Sequence, residues 1–457
     1  MEKQGSFTQG SIVKSLLKFA FPVLLALLLQ ALYTAVDLMI VGQFSDTSQI
    51  SAVATGSQLM QTLTSLVTSL AMGITISIGQ TLGQKRSDKV SHIIMNSLLL
   101  FFGLAIVLTC VVVIFAPQFA RLLNAPTQAF DATVSFLRIS GAGAIFIVGY
   151  NLVGGIFRGL GDSITPLITV AIASVINIFG DLLLVAHFHL GASGAAIATV
   201  FAQALSLVFF FILKNKKEDN IFDLKEFKKP DFKVIKQIFT LGSPIALQDF
   251  LINVSFVIIL AIANNLGVVA SAGIGVGEKA TAFIMLLPLA FMQSMAAFVA
   301  QNVGAKQHYR AKKALFYGMG CAFFIALIMA YLCFFHGDVL ARIFTHEQSV
   351  IEATQLYLRS YAFDVLLTSI FFCFVGYFNG YGKTRFVMTQ GLIGALLFRI
   401  PLSFVFSSLP HANLFTLGMA TPASSLVQVF LCLGYYLYLQ KQNKDYLNDQ
   451  ERVFITK

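Results

Sequence analysis

The 457-residue chain is 57% hydrophobic and only 11% charged, with a mean hydropathy of +0.80, whereas a soluble domain carries roughly 25% charged residues. That composition excludes a soluble enzyme or binding module of domain size and fits a polytopic membrane protein. The net charge of +10 is spread over particular loops instead of one basic face, which argues against a nucleic-acid surface and for positive-inside orientation.

Lys14 and Lys18 precede the first apolar run. The run is too long for a signal peptide, carries Asp37 and lacks a small-residue cleavage site, so it reads as the first span. Within it Gln30, Tyr33, Thr34 and Asp37 are spaced by three, four and seven residues and form one polar stripe on a helix. A carboxylate at membrane depth is costly unless it is paired, neutralised or facing a wet cavity, so Asp37 marks a candidate ion or proton pathway and its stripe a candidate substrate-facing surface.

Twelve spans are predicted, at 14–42, 50–81, 92–115, 130–157, 164–186, 193–213, 236–264, 269–303, 313–335, 350–378, 386–407 and 416–440. The loops after even-numbered spans hold Lys85, Arg86 and Lys89, a run from Lys214 to Lys233, and Lys306, Arg310, Lys312 and Lys313. The odd-numbered loops hold little beyond Arg121 and Arg342. Both termini are therefore expected in the cytoplasm of a bacterial-type cell. The expected organisation is an amino-terminal six-helix bundle (1–213), a basic cytoplasmic linker able to rest on anionic lipid (214–235), a carboxy-terminal six-helix bundle (236–440) and a tail (441–457).

The linker divides two copies of one pattern. Gln80-Thr-Leu-Gly83-Gln-Lys85 matches Gln301-Asn-Val-Gly304-Ala-Lys306 at a shift of 221, and the same shift carries Phe157-Arg-Gly159-Leu-Gly161 onto Phe378-Asn-Gly380-Tyr-Gly382. Six spans return the chain to its starting side. The copies are thus parallel repeats related by a pseudo-two-fold axis along the membrane normal, an all-α architecture suited to alternating access.

The copies differ in their polar residues. Asp37, Asn177 and Asp181 map onto Ile258, Phe398 and Leu402, which a packing role common to both halves does not predict. Asn177 and Asp181 sit one turn apart on the fifth span. If that span neighbours the first, Asp37 and Asp181 share a pocket, where two carboxylates in low dielectric hold a proton or a sodium ion between them. Thr199 and Asn151 are candidate neutral oxygens for the same cation, or alternatively helix-to-helix hydrogen-bonding groups. In the second half Glu278 is a candidate cavity acid, and Arg399 is expected to pair with Asp364 because an unpaired buried guanidinium is costly.

Cys110, Cys321, Cys333, Cys373 and Cys432 lie in apolar segments, are odd in number and show no CxxC spacing. They are expected as packing residues, with no disulfide framework or metal site. No serine-nucleophile elbow, zincin helix or P-loop occurs, so no enzyme, catalytic residue or cofactor is expected.

Several stretches together resemble the multidrug and toxic compound extrusion family, in its DinF-like branch. They are Pro22 to Asp37, Gly79-Gln80 to Gly83, Phe157 to Pro166, Asn177 to Asp181, and Gly194-Ala-Ala-Ile-Ala-Thr199. The resemblance implies a secondary exporter of lipophilic organic cations and drugs, driven by entry of protons or sodium ions. It places coupling in the amino-terminal bundle at Asp37, Asn177, Asp181 and Thr199, with Asn151 a looser match. The forty-five Phe and twelve Met provide soft, aromatic surfaces for such cargo. A monomer in the cytoplasmic membrane is expected, with lipid and cationic small molecules as its partners. The alternative is a flippase for a lipid or a lipid-linked saccharide, which calls for a more strongly cationic cavity.

Overall fold

The computed structural model describes residues 7–215, 230–264, 267–410 and 413–442. Most of the basic linker and the tail beyond Gln442 lie outside the described residues. The described residues form helices with no strand.

In chain order the first helices are α1 (Ile12–Phe44), α2 (Thr47–Gly83), α3 (Asp88–Ile114), α4 (Ala116–Leu122), α5 (Phe130–Ala142), α6 (Ala144–Leu160), α7 (Ile164–Asp181) and α8 (Gly191–Asn215). The chain continues as α9 (Phe232–Asn264), α10 (Val268–Ile284), α11 (Leu286–Gly304), α12 (His308–Phe335), α13 (Gly337–Arg342) and α14 (Gln348–Gly380). It closes with α15 (Thr384–Leu392), α16 (Ile400–Ser407), α17 (Leu414–Gly418) and α18 (Ala420–Gln442). Two π-helical stretches, Leu182–His187 after α7 and Ile393–Arg399 after α15, interrupt the regular ladder.

Among the described residues eleven helical stretches are long and apolar enough to cross a bilayer, and a bent pair makes the twelfth. That pair corrects one expectation. The fourth span is not one helix but α5 and α6, meeting at 52°. The break falls at Gly143, where Val200 of α8 occupies the space that a side chain would need, so close packing favours a glycine and the glycine weakens the helix. The eighth span turns at Met285 between α10 and α11. Pro288 explains the turn, since its ring removes a backbone donor and crowds the carbonyl four residues earlier.

The repeat recurs in backbone detail. Lys85 and Lys306 both adopt a left-handed conformation, with φ of 58° and 59°. Their amides donate to Leu82 and Val303 at 2.9 and 3.0 Å, and the next amides reach Thr81 and Asn302. Gly161 and Gly382 are left-handed at the second motif, followed by equivalent bonds from Asp162 to Phe157 and from Lys383 to Phe378 at 2.9 and 2.8 Å. Gly159 and Gly380 lie flat on the α2 and α11 backbones, where a Cβ would come within 3.0 Å of the Thr75 carbonyl and 2.9 Å of the Ala296 carbonyl.

By packing, residues 21–246 form one unit, and residues 7–20 with those from 247 onward form the other. The division thus falls inside α1 and α9, beside Pro22 and Pro244, where each proline removes an intrahelical bond and loosens the rod locally.

In the first unit the α2 to α6 contact is fastened by Thr75 Oγ1 donating to the Gly155 carbonyl at 2.8 Å. The unit's core gathers Ile74, Ile78, Ile94, Phe101, Ile156, Phe157 and Phe210. Asp231 caps α9 through the amides of Lys233 and Val234, and its own amide donates to Asn96 Oδ1 of α3 at 2.7 Å. His92 Nε2 stands 3.3 Å from the other Asp231 oxygen. Asp231 lies before the span begins, and the Lys233 amide, followed by His92, holds its carboxyl below the usual 3.8.

In the second unit α14 is largely buried among its neighbours. Thr354 donates to the Gly273 carbonyl at 3.1 Å and Ser424 to the Gly394 carbonyl at 2.7 Å. The segment ahead of α1 is strapped to this unit. Arg310 donates to the carbonyls of Phe7, Gln9 and Gly10 at 2.7–2.8 Å, while Phe7 is buried against Phe19 and Phe298. The five cysteines carry free thiols.

Candidate functional site

The first-half site is built by three helices of one unit. The α1 stripe presents Tyr33 and Asp37 one turn apart. The end of α7 presents Asn177 and Asp181 one turn apart, and α8 presents Thr199. Packing of α7 against α8 places Asn177 Nδ2 3.3 Å from Thr199 Oγ1, to which it donates, while the Thr199 hydroxyl donates to the Ala195 carbonyl at 3.0 Å. The close approach depends on small residues: a Cβ at Gly180 would lie 2.9 Å from that of Ala198.

The Asp37 side chain lies within direct reach of Asp181, Thr199 and Asn177. Asp181 is fully buried, with 0% exposure, at the residue where the α-helix passes into π-helical turns. Such turns recur at functional sites because they leave backbone groups and side chains out of the regular register. Asp37 Oδ1, Asn177 Oδ1 and both Asp181 carboxyl oxygens are buried without a hydrogen-bond donor among the described residues. These four acceptor oxygens, none of them receiving a hydrogen bond, form an electron-rich cluster. It can be satisfied by a proton shared between the carboxyls or by a small hard cation, which prefers oxygen ligands.

The remaining candidates divide. Tyr33 sits in the field of Asp37 and near Gln203 and Thr34. Thr34 donates to the Gln30 carbonyl at 3.0 Å and is exposed. Asn151 has both ends committed elsewhere, since its Oδ1 accepts from Thr68 at 2.7 Å and its Nδ2 donates to the Ile147 carbonyl at 2.8 Å. Those bonds tie α6 to α2 and to its own preceding turn. Gln203 was missed in the sequence, although it lies four residues after Thr199 and hence on the same helical face. Tyr150 and Arg158 of α6 join the same surroundings, Tyr150 being within the field of both Tyr33 and Arg158.

Glu278 belongs to the second unit, near Tyr357 and Tyr361. The expected pairing of Arg399 with Asp364 is not made. Asp364 accepts from Ser425 Oγ at 2.6 Å. Arg399 lies 4.7 Å over the Phe256 ring, with Nη1 3.4 Å from Ser255 Oγ. Among the described residues no ion pair joins the two. A neutral hydroxyl and an aromatic face satisfy these charges in part, so the helices need not be drawn together for a direct contact.

A family model described as MatE matches residues 22–183 and 244–405, one copy in each half of the chain. The probable multidrug resistance protein YpnP of Bacillus subtilis (strain 168) is 25% identical over 408 residues, spanning 89% of this chain and 91% of that protein. The multidrug export protein MepA of Staphylococcus aureus (strain N315) is 23% identical over 407 residues, 88% and 89% of the two chains. The fold is that of an outward-facing multidrug resistance MATE family transporter of the MOP superfamily, with TM-score 0.89 and 19% identity over 98% of this chain and 99% of that one. A MOP superfamily transporter from Pyrococcus furiosus gives TM-score 0.90 at 19% identity, covering 97% and 98%.

Proposed function

Since the chain belongs to the multidrug and toxic compound extrusion family of membrane transporters, we propose that it exports lipophilic organic cations in exchange for protons or sodium ions by alternating access. The observation that carries this reading is the oxygen cluster of Asp37, Asn177 and Asp181, buried in the first unit and without donors. An ionised acid pair at this depth needs positive charge. A small cation and the cargo can therefore alternate as its partner.

In this scheme the outward-facing protein binds cargo with Asp37 and Asp181 ionised. Arrival of the small cation at the pair, with Asn177 and Thr199 supplying neutral oxygens and Asn151 bracing α6 nearby, lowers the affinity for cargo, which is released. Either ligand biases the cycle only by its differential affinity for the two states. Gln30, Tyr33 and Thr34 on α1, and Glu278 on α10, are the side chains assigned to meet cargo. Residues 214–235 form the linker between the bundles, both termini face the cytoplasm as the loop charges imply, and the protein works as a monomer among lipids. The coupling placement follows the DinF-like branch.

The test is uptake of a cationic dye into proteoliposomes under a proton gradient and, separately, a sodium gradient. Either gradient alone should drive accumulation that Asp37→Asn abolishes while membrane insertion is retained. Accumulation that neither gradient alters would overturn the antiport reading.

A further inference from the structure

The second unit carries a band of rings and cations that the coupling scheme does not use, at the end where α12 begins and where α14 and α18 finish. His308 Nδ1 stands 3.1 Å from the Tyr381 hydroxyl, with the two rings stacked at 5.8 Å, which ties the start of α12 to the turn after α14. On α15 Phe386 stacks on Tyr435 of α18 at 3.8 Å, and Tyr435 lies 6.0 Å from Tyr438. Phe316 of α12 closes the band by meeting Tyr436 edge-on at 6.0 Å.

Exposed cations follow the rings. Lys313 Nζ sits 4.6 Å over the Tyr309 ring, and Lys306, Lys383, Arg385 and Lys441 lie within three residues of His308, Tyr381, Phe386 and Tyr438. All five are exposed, and among the described residues none makes an ion pair. No Asp or Glu occurs in 304–337 or 365–442, so nothing on these stretches offsets the charge. Beside the cations Phe316, Leu437 and Tyr438 are 49%, 58% and 53% exposed, which adds an apolar surface. Loop charge that only sets orientation needs cations but no rings. The first copy has that plainer arrangement. At the shift of 221, His308, Tyr309, Tyr381 and Phe386 correspond to Ser87, Asp88, Leu160 and Thr165, and its Arg86 and Lys89 flank an acid, Asp88. The array is therefore particular to the second unit. Tyrosines at a membrane boundary keep the ring among apolar groups and the hydroxyl among headgroups, while Lys and Arg there attract acidic lipid. A soluble anion would meet the cations and leave the apolar side chains in water, whereas a phospholipid covers both.

We propose that this band is a docking site for anionic phospholipid, with headgroup phosphates among Lys313, Lys383, Arg385 and Lys441 and acyl chains along Phe316, Leu437 and Tyr438.

The chain contains no Trp, so Tyr438→Trp supplies a single fluorescent reporter in the full chain. In nanodiscs the readout is its quenching by brominated phosphatidylglycerol against brominated phosphatidylcholine with the same acyl chains, expressed as a ratio of association constants. The ratio should exceed about tenfold, since several cations each favour an acidic headgroup, and should fall to near one in Lys313→Gln/Lys383→Gln/Arg385→Gln carrying the same reporter. Added salt should lower it as well. Arg86→Gln/Lys89→Gln in the first unit should leave it unchanged. Phe316→Trp replaces the reporter if Tyr438→Trp fails to fold, and the single glutamine variants, each with part of the loss, stand in for the triple one. A ratio near one before any cation is removed, a ratio that the folded glutamine variants keep, or an equal loss in the first-unit variant overturns the proposal. Protection of the reporter from both lipids by a soluble polyglutamate peptide also overturns it, and would assign the band to an acidic protein partner.

Discussion

Replacing Asp181 by Asn tests the proposed coupling role of the buried acid pair most directly, because the change removes one charge and almost no volume. Asp181 is fully buried, both its oxygens lack donors, and Asp37 faces it. Two unit charges about 4 Å apart, at an effective dielectric of about 20, repel by about 4 kcal/mol. That energy corresponds to about three decades in an equilibrium constant. In the proposed scheme this repulsion gives an arriving cation its leverage on the transporter. In Asp181→Asn the repulsion is gone and the new amide can donate to Asp37. Gradient-driven dye uptake into proteoliposomes should then fall at least about a hundredfold, since most of those three decades are lost. The sign with pH is also fixed. Acid favours the protonated pair, so wild-type dye affinity should fall as pH is lowered, whereas the variant should bind dye with little pH dependence. Equal amounts of monodisperse protein, checked by gel filtration, are needed for the comparison. Undiminished gradient-driven uptake by Asp181→Asn would refute the reasoning.

Three further outcomes are expected from the packing. Gly242→Ala places a Cβ 2.5 Å from the Leu70 carbonyl and should cost about 2 kcal/mol by overpacking. Gly320→Ala meets nothing within 4 Å and should be neutral or gain up to about 1 kcal/mol of helix propensity. Thermal unfolding in detergent ranks the two, and the reverse order would contradict the close approach of α9 to α2 at Gly242. Arg310→Met removes three charged bonds to the strap ahead of α1, a loss of roughly 3 kcal/mol for a partly exposed group. Proteolysis of the amino-terminal segment should accelerate, and an unchanged cleavage rate would show that Arg310 does not hold it. Because the Asp231 carboxyl is held below its ordinary value, its stabilising contribution is present above about pH 4 and is lost as pH falls through the lowered folded-state value. Melting temperatures of wild type and Asp231→Asn should therefore differ at about pH 6 and converge toward about pH 3. A gap that persists in acid would assign the effect to something other than that carboxylate.

The sequence alone was enough to establish a membrane protein of a dozen spans with an internal repeat. Span length and apolar content are set by the bilayer, and the repeat survives in residues such as Lys85 and Lys306 whose backbone geometry is unusual. It also singled out Asp37, Asn177 and Asp181 as candidates, because polar groups deep in an apolar run stand out without any structure. The tertiary structure decided which helices meet. Only the packing of α7 on α8, and the reach of Asp37 toward both, brought four donorless oxygens together. The bend at Gly143, the commitment of Asn151 to Thr68, the entry of Gln203 beside Tyr33 and the separation of Arg399 from Asp364 all depend on partners distant along the chain. Spacing along one helix shows which face a side chain occupies; what that face touches is set by how the neighbouring helices pack against it.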